Sequence, residues 1–164
     1  MENSDNSDSE GGALELWQGT VVQEWLDYNG HMTEFRYLQI FGETSDKFYE
    51  LIGVDFAQAE EGAFYTSETH IRHLVEAKLG TKLHTRTDLL GFDTKRMHIL
   101  HYLYSAEQRL LATGEHLAVY VCKSATSVMP ERLLTSVDRC FSSRANFALP
   151  SWTGSVLRKP LGTI

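Results

Sequence analysis

From residue 34 to residue 52 apolar side chains return at helical spacing, through Leu38, Phe41, Phe48 and Leu51 or Ile52. That period predicts one long helix. Thr33 stands where a capping side chain belongs, Glu34 suits the positive first turn, and Gly53 supplies a stop. Phe35, Tyr37, Phe41, Phe48 and Tyr49 put rings on nearly every side of it. A helix apolar on most sides is wrapped by other elements rather than laid on a surface. Beyond it the pattern becomes strand-like. Segments 63–75, 81–90, 96–105 and 110–122 are rich in β-branched and aromatic residues, with turn signals at 78–80, 91–94 and 106–109. Links this short make neighbouring strands antiparallel, because a parallel return needs a crossover of a dozen residues or more. The strands are also long against a usual five or six residues. The prediction is an α+β fold in which a long antiparallel sheet curls around one central helix.

The ends of the chain add less. Residues 14–25 contain a short extended run with Trp17, Val21 and Val22, and Pro130 opens an amphipathic second helix over 130–147. Residues 150–164 read as an irregular tail. The chain of 164 residues is long enough to bury a real core as one domain. Its net charge of −7 argues against a nucleic-acid or anionic-membrane binder. Part of that charge is local: Glu2, Asp5, Asp8 and Glu10 lie in a Ser/Asn/Gly-rich start, and without them 18 acidic against 15 basic residues leave −3. Residues 1–12 are expected to be a disordered acidic tail, and 13–164 a single domain. No apolar run approaches the roughly 18 residues of a membrane span, and the start lacks a signal-peptide layout. Cys122 and Cys140 make no disulfide framework. The expected location is the cytoplasm.

Several chemistries drop out for want of a motif: no G-x-S-x-G elbow, no G-x-x-x-x-G-K and no G-x-G-x-x-G. His98 and His101 are three apart in a predicted strand and point to opposite faces, as do His70 and His73, so no metal site is expected. The informative stretch is "WLDYNGHMTEFRYL", residues 25–38. If it is extended, Asp27, Asn29 and His31 share one face just before the free N–H groups of the helix start. A carboxylate beside such donors suits acyl transfer: the donors hold a carbonyl oxygen as it gains charge, while Asp27 attacks or activates water. The alternative is a loop in which Asp27 and Asn29 form side-chain turns and His31 is a packed cap. Two further clusters stand out. Glu68, His70 and Arg72 share a strand face that meets either solvent, a partner or a ligand, with Glu68 then in the acyl pocket. Lys95 and Arg96 follow the 91–94 turn, where they either simply end a hairpin or meet the phosphates of coenzyme A.

The run Asp27-Tyr28-Asn29-Gly30-His31-Met32, followed by Tyr37, resembles the opening signature of hotdog-fold thioesterases of the 4-hydroxybenzoyl-CoA thioesterase type. It is also similar to the D-x-N-x-H-V-N of acyl-carrier-protein thioesterases. Residues 65–101, "YTSETHIRHLVEAKLGTKLHTRTDLLGFDTKRMHILH", resemble the bacterial betainyl-CoA thioesterases associated with carnitine dehydrogenase. The resemblance implies a hotdog fold and hydrolysis of a short polar acyl-CoA, without a cofactor. It places Asp27 on the catalytic carboxylate, Asn29 and His31 on its polar partners, and the backbone N–H of Glu34 on the donor to the thioester carbonyl. Thr33 departs from the family's usual Asn. For a trimethylammonium acyl group, Trp25, Tyr28 and Tyr65 are the candidate aromatic faces and Glu68 the candidate charge. The resemblance further implies a homodimer or homotetramer with sites between subunits. Self-association also follows from an outer sheet face on which Tyr102, Tyr104 and Tyr120 are expected to lie. Two rivals remain at this point, an acyl-CoA hydratase and a non-catalytic acyl-CoA-binding protein.

Overall fold

In the computed structural model the described residues are 14–143 and 151–155, with side chains given for all but 59–61. The acidic tail, the end expected for the second helix and most of 150–164 lie outside them. The strands are β1 Leu14–Thr20, β2 Ala63–His73, β3 Lys82–Phe92, β4 Arg96–Ser105, β5 Leu110–Cys122 and β6 Ala125–Thr126; the helices are α1 Glu34–Ile52 and α2 Glu131–Ser142. The main strands pair antiparallel in the order β1-β3-β4-β5-β2, so the hairpins from β3 to β5 form the middle and β1 and β2 the two edges. The short β6 folds back on the end of β5.

The strand registers decide which residues face α1. Thr87, His101 and Gly114 align across β3, β4 and β5, as do Leu89, Ile99 and His116, and both rows point at the helix. The helix answers with Tyr37, Ile40, Phe41, Phe48, Tyr49 and Ile52, all buried. Two apolar clusters result. One gathers Phe48, Ile52, Met97, Ile99 and Tyr120 with Leu133 and Val137 of α2. The other gathers Ile40, Phe41, Leu103, Leu111 and Ala112 with Val21, Met32 and Ala77. Burying side chains of this size contributes about 1.5–3 kcal/mol each. Gly114 is required where it stands, because a Cβ there would lie 2.7 Å from the Phe41 ring and 2.8 Å from His116 Nε2.

Helix α1 has the predicted bounds, and Gly53 ends it in the left-handed region at φ +97° with its N–H returned to the last carbonyls. Four expectations need correction. Thr33 is in the cap position, but its hydroxyl makes no cap bond and has no partner among the described residues. Wrapping of α1 is incomplete, since Phe35 and Leu38 are exposed. Pro130 caps α2, Glu131–Ser142, rather than sitting in its first turn. Tyr120 belongs to the buried core, stacked edge-on with Phe64, while Tyr102 and Tyr104 do lie stacked and half-buried on the outer face. No helix among the described residues is long and apolar enough to cross a membrane.

Candidate active site

The segment before α1 is not extended. Val21 and Val22 lead into a 3-10 turn at Gln23–Trp25, and Leu26 then pairs antiparallel with Met32 across a tight loop. Two backbone bonds close the loop: Asp27 N–H to the His31 carbonyl at 2.8 Å and Gly30 N–H to the Asp27 carbonyl at 3.1 Å. Gly30 takes φ +77°, which an L side chain rarely adopts. Within the loop the Asp27 carboxylate accepts two N–H groups at Oδ1, from Asn29 at 2.8 Å and His31 at 3.1 Å. This is the side-chain turn that aspartate favours, and it explains why alternation failed as a guide to these three residues.

The turn also sets the electrostatics of Asp27. The His31 N–H on the carboxylate holds Asp27 below the usual carboxylate range, partly opposed by burial and assisted by the Asn29 N–H. The Asn29 side chain also bonds this carboxylate, so Asn29 and His31 together fix its orientation at the mouth of the turn. Met32 and Thr33 lead directly from this turn into α1, whose first N–H groups, including that of Glu34, lack partners within the helix.

A second segment, absent from the sequence reading, buttresses the turn. Met32 N–H donates to the Ala77 carbonyl at 2.8 Å, and His31 pairs antiparallel with Lys78. His31 Nε2 lies 3.1 Å from Glu76 Oε2. Tyr37, buried beside this segment, stacks edge-on against His73 at the end of β2, with ring centroids 4.7 Å apart. Burial pushes its phenol up; the Ala77 N–H opposes that and Glu76 adds to it. Only the spatial pairing of 31–32 with 77–78 reveals Glu76, 45 residues away in sequence.

The other expected site residues scatter. Trp25 stacks on Trp17 at 6.4 Å and carries the Arg36 guanidinium over its ring at 5.7 Å, so one aromatic face is already taken. Tyr28 is 97% exposed at the tip of the turn. Tyr65 is exposed near the start of β2. A bulge between Thr66 and Glu68 brings Glu68, His70 and Arg72 opposite Leu117, Glu115 and Thr113, the face turned away from α1. Arg96 is engaged by Asp93, which its guanidinium meets at 2.6 and 2.8 Å, whereas the Lys95 side chain is exposed. The 93–96 turn sits at the far end of β3 from the Asp27 turn, about 30 Å along the strand at 3.3 Å per residue. Within one chain, Lys95 and Asp27 cannot touch one substrate's reacting end together.

Residues 21–137 match the model of the thioesterase-like superfamily. This chain belongs to the thioesterase-like superfamily. Its hotdog architecture, a curled antiparallel sheet around a central helix, accords with that membership. A protein of Rhizobium meliloti (strain 1021) named L-carnitine dehydrogenase/betainyl-CoA thioesterase is 49% identical over 147 residues, 87% of this chain and 30% of that protein. The chain thus spans under a third of that fused relative. Pseudomonas aeruginosa has a betainyl-CoA thioesterase 31% identical over 90% of this chain and 96% of its own length. Among solved structures, a Staphylococcus aureus protein in complex with CoA shares the fold, with a TM-score of 0.81 at 22% identity over 91% of this chain and 98% of that one. For this member of the superfamily, the strand, central helix and meander read from the sequence are all in place.

Proposed function

We propose that this chain is an acyl-CoA thioesterase that hydrolyses a short polar acyl-CoA, betainyl-CoA before others, to the free acid and CoA. The observation that carries the chemistry is the Asp27 carboxylate, kept ionised and fixed at Oδ1 by the Asn29 and His31 N–H groups beside the start of α1. Asp27 acts as general base toward water or as nucleophile; on either route water is consumed, the C–S bond breaks and the thiolate takes up a proton. Asn29 and His31 orient Asp27 and water, and the Glu34 N–H faces the carbonyl oxygen as it gains charge. The relatives' names support the substrate class.

The two distant halves of the site come together if the protein is a homodimer. Strand β2 is an edge, with β5 on one side only. A two-fold antiparallel pairing of this edge with a second copy brings the Ala63 end of one strand to the His73 end of the other. Tyr65 and the Lys95–Arg96 turn of one copy then flank the Asp27 turn of its partner, Lys95 as the free cation for CoA phosphates. Glu68, at the middle of β2, lies near the two-fold axis, where it offers negative charge to a cationic acyl group. An acyl-CoA soluble in water suits a cytoplasmic enzyme of one catalytic domain, 13–164.

Release of free thiol, followed over a small acyl-CoA panel, tests this reading. One aromatic face contributes about 0.5–2 kcal/mol toward a trimethylammonium group, or roughly 2- to 30-fold in preference. Betainyl-CoA is therefore expected to exceed its neutral isostere 3,3-dimethylbutyryl-CoA in kcat/KM by that factor. A tenfold preference for the neutral ester would overturn the cationic substrate; no thiol release from any ester would leave a hydratase, if water adds across an acyl double bond, or a binding protein, if the esters are recovered unchanged.

A further inference from the structure

The turn that holds Asp27 leaves His31 with a partner that no residue pattern announced. We infer that Glu76 is a positioning residue for this reaction, fixing the His31 imidazole through Nε2. The inference rests on the thioesterase reading and names a device within its site.

The geometry distinguishes this pair from an ordinary surface contact. Side-chain exposure is 27% for His31 and 68% for Glu76. An exposed pair on two flexible chains contributes about 0–1 kcal/mol, because ordering both side chains offsets the attraction. Here the backbones are already tied together. Met32 N–H is bonded to the Ala77 carbonyl and His31 is paired with Lys78, so each partner sits one residue from a fixed bridge. Ala77 is 1% and Met32 4% exposed, which anchors that bridge in the core beside Tyr37. Leu74 and Val75 N–H both return to the Leu111 carbonyl, closing the segment on its other side. Little further entropy is lost when Glu76 meets His31.

The consequence is chemical. A carboxylate only accepts, so a neutral His31 donates from Nε2 and keeps its lone pair on Nδ1. His31 N–H meanwhile bonds Asp27 Oδ1 at 3.1 Å. One residue therefore orients the reacting carboxylate through its backbone and presents an acceptor nitrogen of fixed tautomer through its ring. Asn29 has no such second anchor among the described residues; its N–H bonds Asp27 and its side chain acts on the same carboxylate.

The experiment compares wild-type enzyme with Glu76→Ala and Glu76→Gln. Glutamine can still accept from Nε2–H, so a positioning role predicts that Glu76→Gln keeps kcat within about threefold. Glu76→Ala should lose about tenfold to a hundredfold in kcat, with KM within twofold, by analogy with the loss when the carboxylate that orients a metal-bound histidine is removed. The second readout is the ring itself. In ¹⁵N spectra at pH 8.5, His31 should be the Nε2–H tautomer in wild type and Glu76→Gln, and a mixture in Glu76→Ala. Unchanged kcat together with an unchanged tautomer in Glu76→Ala overturns the inference. So does a raised KM at constant kcat, which would make Glu76 a substrate contact. If wild type releases no thiol from any ester, the thioesterase reading fails while the tautomer comparison still decides whether Glu76 sets the ring.

Discussion

Two histidine–glutamate pairs in this molecule have the same separation and opposite settings. His31 Nε2 and His98 Nε2 each lie 3.1 Å from a glutamate oxygen, that of Glu76 and that of Glu115. The first pair is partly open to water, Glu76 more than His31. The second has side-chain exposures of 5% and 0%, on the sheet face away from α1, and Glu115 also accepts the Gly154 N–H at 2.9 Å. There Arg72 lies over the Trp152 ring at 4.5 Å, so residues 151–155 are latched across the back of β2 and β5. Burial decides what each pair is for. Breaking a buried, hydrogen-bonded pair leaves one member without its partner and costs about 3–5 kcal/mol, whereas an exposed pair is worth about 0–1 kcal/mol. The buried pair therefore acts on stability. The exposed one can act on chemistry without the fold depending on it.

The sharpest way to break that contrast is at Asp27, the proposed base or nucleophile, whose carboxylate accepts the His31 N–H. Asp27→Asn retains an amide oxygen able to accept the Asn29 and His31 N–H groups. It removes only the negative charge. Turnover should fall on the order of 10²–10⁴-fold, with the melting temperature held within a degree or two. A folded Asp27→Asn protein with wild-type rates would end the mechanism.

At the buried pair the expected outcome is reversed. His98→Leu leaves the Glu115 carboxylate with the Gly154 N–H and no imidazole, and should destabilise by about 3–5 kcal/mol in urea unfolding. The double variant His98→Leu/Glu115→Leu replaces the pair by apolar side chains and should recover most of that loss. Neither change should alter kcat by more than about twofold in the folded fraction. Equal stability losses at His31→Leu and His98→Leu would erase the distinction that burial draws.

The same contrast explains what the sequence could reveal. Helix α1 was legible because one chain segment carries its period, its first-turn acid and its glycine stop. The four long strands were legible because short turns separate them. The hidden features all depend on pairing between distant residues. Asp27 reads as a member of an alternating set until its carboxylate closes a turn on Asn29 and His31. Glu76 and Glu115 find their histidines 45 and 17 residues away. Tyr120 looked like Tyr102 and Tyr104, yet β5 is buried almost continuously from Leu111 to Tyr120, so alternation carries no facing signal there. Arg96 reads as a free cation until Asp93, three residues back, claims it.

A third histidine setting gives the smallest expected effect and completes the comparison. Between the two apolar clusters, His101 and His116 lie with ring centroids 5.1 Å apart, and neither has a carboxylate partner among the described residues. His101 is bonded to hydroxyls only, Ser45 at 2.9 Å and Thr87 at 2.9 Å, and His116 Nδ1 to the Thr69 hydroxyl at 3.1 Å. Burial drives His116 down to about 4, and burial with the neighbouring His116 drives His101 well below the usual value. The sign follows directly. Above pH 6.5 both states hold a neutral ring and pH has no leverage. Below it the unfolded chain takes up a proton that the folded His116 refuses until about pH 4, so stability falls as pH drops through that window. The loss from His116 alone is on the order of 3 kcal/mol across it. Asp27 and Asp93, whose carboxyls are held low, lose their contribution only at more acid pH. Unfolding free energies measured at pH 7.5, 5.5 and 4.5 should therefore decline, and His116→Gln should flatten the decline. A wild-type profile flat between pH 6.5 and 4.5 would mean that these buried rings accept protons in the folded state.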